Sequence, residues 1–240
     1  VYPQKADFTF YGGIYRDVSL LVVNKDHIAL GHFGDTGVKI TPALQENSAD
    51  IRVETLVEGS GTVTVELLDA EGRTVAKGDG ENASLHLDVP HLWNGVKDPY
   101  LYTCIVRLLQ DGQPVDEVTT RVGLRSFSVD AKKGFFLNGK PYPLHGVSRH
   151  QDRKGLGNAI TREMHDEDMA LIRELGANTV RLAHYQHDQY FYDLCDQYGM
   201  VVWAEIPYIS EHLPNGRENT ISQMKELIHQ NYNHPSIVCW

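Results

Sequence analysis

Several signals that mark particular protein classes are scarce in this 240-residue sequence. Cysteine occurs only at Cys104, Cys195 and Cys239, which is too few and too scattered for a disulfide framework or a cysteine metal site. No apolar run approaches the roughly 20 residues of a membrane-spanning helix. Lysine and arginine form no basic run, and the net charge is −10. We therefore expect neither a membrane nor a nucleic acid as a partner.

The two ends of the sequence lack the usual boundary signals. VYPQKADFTF has no initiating Met and no charged-then-apolar pattern of a signal peptide. SIVCW stops within an apolar run that carries no turn or cap. Both ends predict a piece of a longer protein, and the cellular compartment stays open.

Short alternating segments separated by turns fill the sequence before about Arg125. TVTVEL alternates with period two, and DAEG and QDGQP carry the Gly, Asp and Pro of hairpin turns. The spacing predicts an immunoglobulin-like antiparallel β-sandwich over residues 25–125. The Cys–Trp–Cys pattern of antibody domains is missing, so the likeness is one of architecture.

After residue 125 the pattern changes to strands that alternate with helices. GFFLNGKPY predicts a hairpin with an Asn-Gly turn. Strands are then predicted at PLHGVSRH, NTVRLAHY, MVVWAEI and SIVCW, and helices at TREMHDEDMALIRELG, QYFYDLCDQYG and ISQMKELIHQNYN. In the first helix, Met164, Met169, Ile172 and Leu175 are expected to share the buried face. The order predicts a parallel sheet with roughly half the length of a (β/α)8 barrel, which has about 250 residues.

Polar side chains recur where the first three of these strands end. Active sites of parallel α/β folds lie at the carboxyl ends of the strands. One strand-end histidine is more often structural, but recurrence on three strands favours an active site. The residues are Arg149 and His150, Arg181 and His184, and Trp203 and Glu205.

Structural interpretations stand beside the functional ones. Arg181 could simply neutralise Glu205, and Trp203 could pack in a core as readily as stack on a sugar ring. Structural roles are favoured for other groups: a solvated helix start for Asp166, Glu167 and Asp168, a helix N-terminal region for His187 and Asp188, and packing for Trp93, Tyr190, Phe191 and Tyr192.

Four ordered blocks resemble glycoside hydrolases of family 2, of the large bacterial β-galactosidase type. The blocks are FYGGIYRDVSLL, FFLNGKPYPLHGVSRHQD, LGANTVRLAHYQHDQYFYDLCDQYGMVVWAEI and NHPSIVCW. The resemblance covers the whole chain and is strongest over residues 135–240. It implies the end of a jelly-roll sugar-binding domain at 1–24, the β-sandwich at 25–125, and the N-terminal half of a TIM-barrel catalytic domain at 126–240.

The resemblance also implies substrate-binding residues. His150 would border the sugar subsite, Arg181 would hold the catalytic carboxylates, and His184 would donate to a sugar hydroxyl. Glu205 would match the acidic residue that ends the third strand, and Asp7 would match a jelly-roll aspartate that reaches into the neighbouring domain's sugar site. Apart from the resemblance, the aromatic face of Trp203 suits the apolar face of a sugar ring, so Trp203 is a further substrate-binding candidate.

The implied reaction is the hydrolysis of terminal β-D-galactosides with retention, by two carboxyl groups about 5–5.5 Å apart. The resemblance places the acid/base and the nucleophile beyond Trp240, so the chain alone is expected to be inactive. RHQD and AHYQ favour galactosidase over β-glucuronidase or β-mannosidase. An alternative from another class is a non-catalytic carbohydrate-binding or adhesion module.

A metal site is the least specific expectation. Some members of the family bind magnesium through Glu-x-His after the third strand, whereas this sequence has Glu211 and His212 side by side. Mg²⁺ prefers octahedral oxygen ligands, which an adjacent pair supplies poorly. The resemblance is compatible with Mg²⁺ or Na⁺ in the full-length protein. It implies a β-galactoside oligosaccharide or glycoconjugate as the ligand, and it is compatible with a homo-oligomer.

Overall fold

The computed structural model describes residues 8–209 and 214–240, which form a β-sandwich, a hairpin and a parallel sheet with helices. Residues 8–24 contain no helix or strand. The sandwich region contains β1 (His27–Ile28), β2 (Val38–Leu44), β3 (Ser48–Thr55), β4 (Val57–Glu58), β5 (Thr62–Leu68), β6 (Thr74–Asp79), β7 (Asn82–Asp88), β8 (Tyr102–Gln110) and β9 (Gln113–Val122).

The rest of the described chain carries the hairpin and the α/β part. Its strands are β10 (Phe127–Asp130), β11 (Gly134–Leu137), β12 (Lys140–Pro141), β13 (Gly146–Arg149), β14 (Thr179–Leu182), β15 (Val201–Ala204) and β16 (Ile237–Cys239). Its helices are α1 (Arg162–Glu174), α2 (Gln189–Tyr198) and α3 (Arg217–Gln230). Within the described residues, no helix is long and apolar enough to cross a membrane.

The sandwich packs the antiparallel sheet β2-β3-β7 against the sheet β6-β5-β8-β9. Successive side chains of a strand point to opposite faces, so every second residue can enter the core. In β8 the buried positions are Tyr102, Cys104, Val106 and Leu108. Burial raises the pKa of the Cys104 thiol to about 12, which makes this cysteine a core side chain and not a nucleophile.

The predicted Asn-Gly hairpin joins β11 to β12. Asn138 and Gly139 have φ angles of 50° and 73°, the left-handed conformation that two-residue hairpin turns require. The Asn138 amide also donates to the Trp93 carbonyl at 3.0 Å and to Asn94 Oδ1 at 2.8 Å. The turn residue therefore attaches the hairpin to the sandwich.

The α/β part is a parallel sheet with strand order β13-β14-β15-β16 and helices on one face. Met169 and Ile172 of α1 are buried in its core, as predicted. The prediction for Leu175 is wrong: this residue lies after the helix and is 73% exposed. His165, one turn before Met169, occupies the buried stripe and is 2% exposed.

Helix α2 has the boundaries that its sequence indicates. The Asp188 side chain accepts from the Tyr190 amide at 2.9 Å, so Asp188 is the N-cap, in line with the prediction for this region. Gly199 ends the helix with φ of 74°. A Cβ at Gly199 would lie 2.2 Å from the Gly95 carbonyl, so glycine is needed where the two parts of the chain meet.

Side chains from both parts fix this junction. Trp93 is fully buried, and its Nε1 donates to the Asp196 carbonyl at 2.9 Å, which agrees with a packing role between domains. Arg125 donates to the Pro235 carbonyl at 2.9 Å and to the Ile237 carbonyl at 2.7 Å. The sandwich is thus bonded directly to the segment that leads into β16.

Candidate active site

The face of the parallel sheet opposite the helices carries the polar residues of β14 and β15. Arg181 lies opposite Ser148 of β13 and Trp203 of β15. Val180 and Leu182, one position to either side, are buried against the helices. The period-two alternation therefore places Arg181 on the side that faces the interior of a barrel, as the sequence predicts.

Arg181 and Glu205 form a forked ion pair on this face. Arg181 Nε donates to Glu205 Oε1 at 2.5 Å, and Arg181 Nη2 donates to Oε2 at 3.1 Å. The two side chains are 40% and 16% exposed, respectively. A planar guanidinium that meets a carboxylate at both oxygens fixes its orientation, so Glu205 is held in one position.

His184 completes a cluster of three with this pair. Its Nδ1 lies 3.1 Å from Glu205 Oε2 and 3.2 Å from Arg181 Nη2. The peptide bond between Ala183 and His184 is cis. A guanidinium only donates and a carboxylate only accepts, so Nδ1 can satisfy one of them at a time. When Nδ1 donates to Glu205, the second ring nitrogen is left as a hydrogen-bond acceptor.

Aromatic rings border the cluster. The Phe8 ring centroid lies 5.4 Å from that of His184 and 5.5 Å from that of His150. His150 and His184 are 5.3 Å apart, edge to face, and His150 Nδ1 lies 3.3 Å from the Tyr185 hydroxyl. The predicted residues His150, Arg181, His184 and Glu205 are therefore close together at one end of the sheet.

Trp203 lies on the same face and is 52% exposed. The roles of Trp203 as a stacking surface and as a packing residue inside a complete barrel both stay predictions, because this chain contains the start of the barrel. An exposed indole beside paired polar groups presents the kind of apolar surface that stacks on a pyranose ring.

The sequence analysis missed the role of Arg149. Although it precedes His150, Arg149 points to the helix side of the sheet and is 5% exposed. Its guanidinium lies 3.7 Å from the centre of the Phe191 ring and bonds to Asp168 Oδ2 at 3.0 and 2.7 Å. The prediction that Asp168 is a solvated residue of a helix start is wrong, because its carboxylate neutralises a buried arginine.

Two buried histidines also surround Arg149. His165 Nδ1 lies 2.9 Å from Arg149 Nη2, and His187 Nδ1 lies 3.1 Å from Nη1. Burial first, and the Arg149 charge second, lower the pKa of His165 and hold the pKa of His187 well below its usual value. Both rings are therefore neutral near pH 7 and can accept from the guanidinium.

The predicted metal residues Glu211 and His212 lie outside the described residues, as does the predicted sugar-site residue Asp7. Among residues 8–209 and 214–240, donor atoms of Asp193, Asp196 and His234 lie within 4.8 Å of one another. Asp196 already accepts from His234 Nδ1 at 2.6 Å and from the Ser236 amide at 3.1 Å. These bonds make the group a structural link between α2 and the start of β16.

A β-sandwich followed by the start of a parallel α/β barrel, with polar groups clustered at the strand ends, places the chain among multidomain proteins that carry such a barrel. Sequence models narrow this class: "Glycosyl hydrolases family 2" matches residues 32–125, and "Glycosyl hydrolases family 2, TIM barrel domain" matches residues 128–240. The chain belongs to glycosyl hydrolase family 2. The predicted immunoglobulin-like sandwich and start of a TIM barrel are confirmed, while the domain limits at 24/25 and 125/126 stay predictions.

Relatives within this family cover nearly the whole chain. A β-glucuronidase of Bacteroides fragilis is 41% identical over 268 residues, which is 100% of this chain and 38% of the relative. A β-galactosidase of Thermoanaerobacter pseudethanolicus is 30% identical, over 98% of this chain and 32% of the relative. The chain therefore spans about a third of the length of these relatives.

Solved structures give the same result. An FMN-binding β-glucuronidase from Facaelibacterium prausnitzii L2-6 has 44% identity and a TM-score of 0.93, with 99% of this chain and 38% of that chain covered. A putative β-galactosidase from Bacteroides fragilis has 40% identity and a TM-score of 0.86, with 90% of this chain and 35% of that chain covered. These similarities support a family 2 glycosidase but do not establish the predicted galactoside specificity.

Proposed function

We propose that this chain supplies the sugar-positioning side of a retaining β-glycosidase site in the full-length protein. The observation that supports this proposal is the Arg181–Glu205–His184 cluster at the carboxyl ends of β14 and β15. Desolvation of a charged pair that faces a barrel interior offsets its attraction, so such a pair adds little stability and is better explained by a role in a binding or active site. A non-catalytic binding module would use the same groups to hold sugar without turning it over.

The residues of the cluster take different roles in this proposal. Arg181 orients Glu205, and His150 and His184 contact sugar hydroxyls. Trp203 supports an apolar face of the ring, and Asp7 reaches into the sugar site of the neighbouring domain. Because Arg181 and His184 already engage both Glu205 oxygens, we assign Glu205 neither the acid/base nor the nucleophile role. We attribute those roles to carboxylates outside this chain, so the chain alone should not turn over substrate.

The substrate that we favour is a terminal β-D-glucuronide. The relatives at 41% and 39% identity that cover nearly all of this chain are named β-glucuronidase and putative β-glucuronidase. The second candidate is a terminal β-D-galactoside, supported by the RHQD and AHYQ segments and by a β-galactosidase at 30% identity. A cation, Mg²⁺ or Na⁺, near Glu211 and His212 stays a prediction in either case.

Turnover of matched chromogenic substrates distinguishes these candidates. The full-length protein should release 4-nitrophenol from its β-D-glucuronide with a kcat/KM at least about tenfold above that for the β-D-galactoside, equal to about 1.4 kcal/mol of discrimination. The reverse order would favour the galactosidase alternative. Saturable binding of the sugars without any release of nitrophenol would favour the non-catalytic module.

A further inference from the structure

On the helix side of the sheet, a closed ring of hydrogen bonds joins Arg149, Ala183 and His187. The Ala183 amide donates to the Arg149 carbonyl at 3.2 Å, and His187 Nε2 lies 2.9 Å from the Ala183 carbonyl oxygen. Arg149 Nη1 lies 3.1 Å from His187 Nδ1 and so closes the ring. Because Arg149 precedes His150 and Ala183 precedes His184, the ring fixes both residues that face the proposed sugar site.

The direction of each bond in the ring follows from the donors available. Arg149 can only donate, so His187 Nδ1 must accept. The proton of the neutral His187 ring is therefore on Nε2, which donates to the Ala183 carbonyl oxygen. His187 is 0% exposed, and burial with the Arg149 charge keeps its pKa low, so this arrangement persists across neutral pH.

The ring is anchored to both neighbouring helices. Asp168 of α1 binds Arg149 at 3.0 and 2.7 Å, and Phe191 of α2 lies under its guanidinium. On the other side, His187 stacks on Tyr185 with centroids 5.0 Å apart. The hydroxyl of Tyr185 contacts His150 Nδ1 at 3.3 Å. The Arg149–His187 pair is therefore linked to both candidate sugar-contacting histidines: to His184 through the Ala183 carbonyl, and to His150 through Tyr185.

We infer that His187, held by Arg149, is a positioning residue of the glycosidase site that sets the place of His184 against Glu205. This inference rests on the proposed function. His187 touches no sugar in this account. It acts by fixing the carbonyl of the peptide that carries His184, and hence the 3.1 Å contact between His184 Nδ1 and Glu205 Oε2.

His165 provides a matched control for His187. It is the same residue type, is 2% exposed, and accepts from the other terminal nitrogen of the same arginine at 2.9 Å. No bond from His165 to Ala183 is among the contacts of the described residues. A role limited to the stability of the Arg149 cluster would make the two histidines equivalent.

The kinetic test compares His187→Leu with His165→Leu in the full-length protein, on whichever chromogenic β-glycoside the wild type cleaves. We expect kcat/KM to fall about 100-fold in His187→Leu, the size expected when a site group moves by about 1 Å. His165→Leu should stay close to the wild type at a similar Tm loss. His187→Gln should recover most of the activity, because its amide can donate to Ala183 and accept from Arg149.

The structural test is independent of turnover. Crystal structures of the variants should show the contact between His184 Nδ1 and Glu205 Oε2 broken in His187→Leu and retained in His165→Leu. Equal kinetic losses in the two leucine variants, or an unmoved His184 in His187→Leu, would overturn the inference. If the wild type cleaves no β-glycoside, the proposed enzymatic function fails, and the His184 position still tests the positioning role.

Discussion

The β-sandwich and the parallel sheet use their two faces differently. Both sandwich sheets turn apolar side chains toward a shared core that includes Ile51 and Leu108, and place ion pairs such as Arg107–Glu66 on the outside. The parallel sheet buries most of its aliphatic side chains under its helices, while Val201, at the start of β15, packs against Trp93 and Leu137. Its other face carries Arg181 and Trp203.

This difference between the two sheets distinguishes side chains that stabilise the fold from side chains that are available to bind a ligand. Burial of a large aliphatic side chain contributes roughly 1.5–3 kcal/mol, so the sandwich arrangement favours stability. A charged pair turned toward an interior contributes little net stability, because its desolvation offsets its attraction. The polar face of the parallel sheet is therefore best explained by binding, and substitutions in the two regions should have different consequences.

The largest expected effect on stability lies in the sandwich. Leu108→Ala removes a fully buried side chain and should lower the unfolding free energy by about 2–5 kcal/mol, because it leaves a cavity in the core. Leu109→Ala is the matched control, since Leu109 is the next residue on β8 and is only partly buried. Urea unfolding of the full-length protein measures both changes, and kcat of the folded protein should be unaffected. Equal losses at Leu108 and Leu109 would contradict the assignment of the two faces.

A smaller, pH-dependent effect on the unfolding free energy is expected at His234, which links α2 to the start of β16 through Asp196. Burial alone would lower the pKa of His234, but the Asp196 carboxylate outweighs burial and raises this pKa above 6.5. A raised folded-state pKa gives a stabilisation that is complete below pH 6.5 and is lost as the pH rises through the folded-state value. His234→Gln keeps a hydrogen-bond donor but no charge, so it should be less stable than wild type by about 1 kcal/mol at pH 6.

The measurement is the difference in unfolding free energy between wild type and His234→Gln across pH 5.5 to 9. The difference should shrink toward the alkaline end, and subtraction cancels the contributions of other titrating groups, including His187. A difference that stays constant with pH would mean that the pKa of His234 is the same in the folded and the unfolded protein, and a difference that grows toward the alkaline end would mean that folding lowers this pKa. His86→Gln is the control for an exposed pair: hydrogen bonding to Asp50 raises the pKa of His86 too, but solvent screens this pair, so the pH-dependent difference should be smaller than for His234→Gln.

Local rules predict much of this fold from the sequence. Period-two alternation gives the sandwich strands and the inward direction of Arg181, and the Asn-Gly turn and the Asp188 cap follow from local backbone chemistry. The clustering of His150, Arg181, His184 and Glu205 follows from the rule that parallel strands present their carboxyl ends together. These features depend on short stretches of sequence.

The sequence-based predictions failed mainly where one secondary-structure element contacts another. Arg149 and His150 are neighbours at a strand end, but alternation sends them to opposite faces. The sequence did contain a signal for the buried position of Arg149: it lies two residues after the apolar Val147, so both side chains point to the same face of β13. The partners His165 and Asp168 lie on α1, and no local pattern indicates that an aspartate of this helix meets an arginine of the strand before it. The prediction for Leu175 failed for a different reason: this residue continues the apolar spacing of α1, but it is the C-cap, one position beyond the last helical residue.

The most direct test of a sugar-positioning face compares Arg181→Lys with Arg107→Lys in the full-length protein. Each arginine forms charged hydrogen bonds to glutamate, Arg181 to Glu205 and Arg107 to Glu66 and Glu117. Lysine keeps the charge but loses the planar fork. We predict that kcat falls about 100-fold in Arg181→Lys and stays at the wild-type value in Arg107→Lys, with similar small changes in Tm. Unchanged kcat in a folded Arg181→Lys protein would contradict the account, because Arg181 would then be a purely structural partner of Glu205.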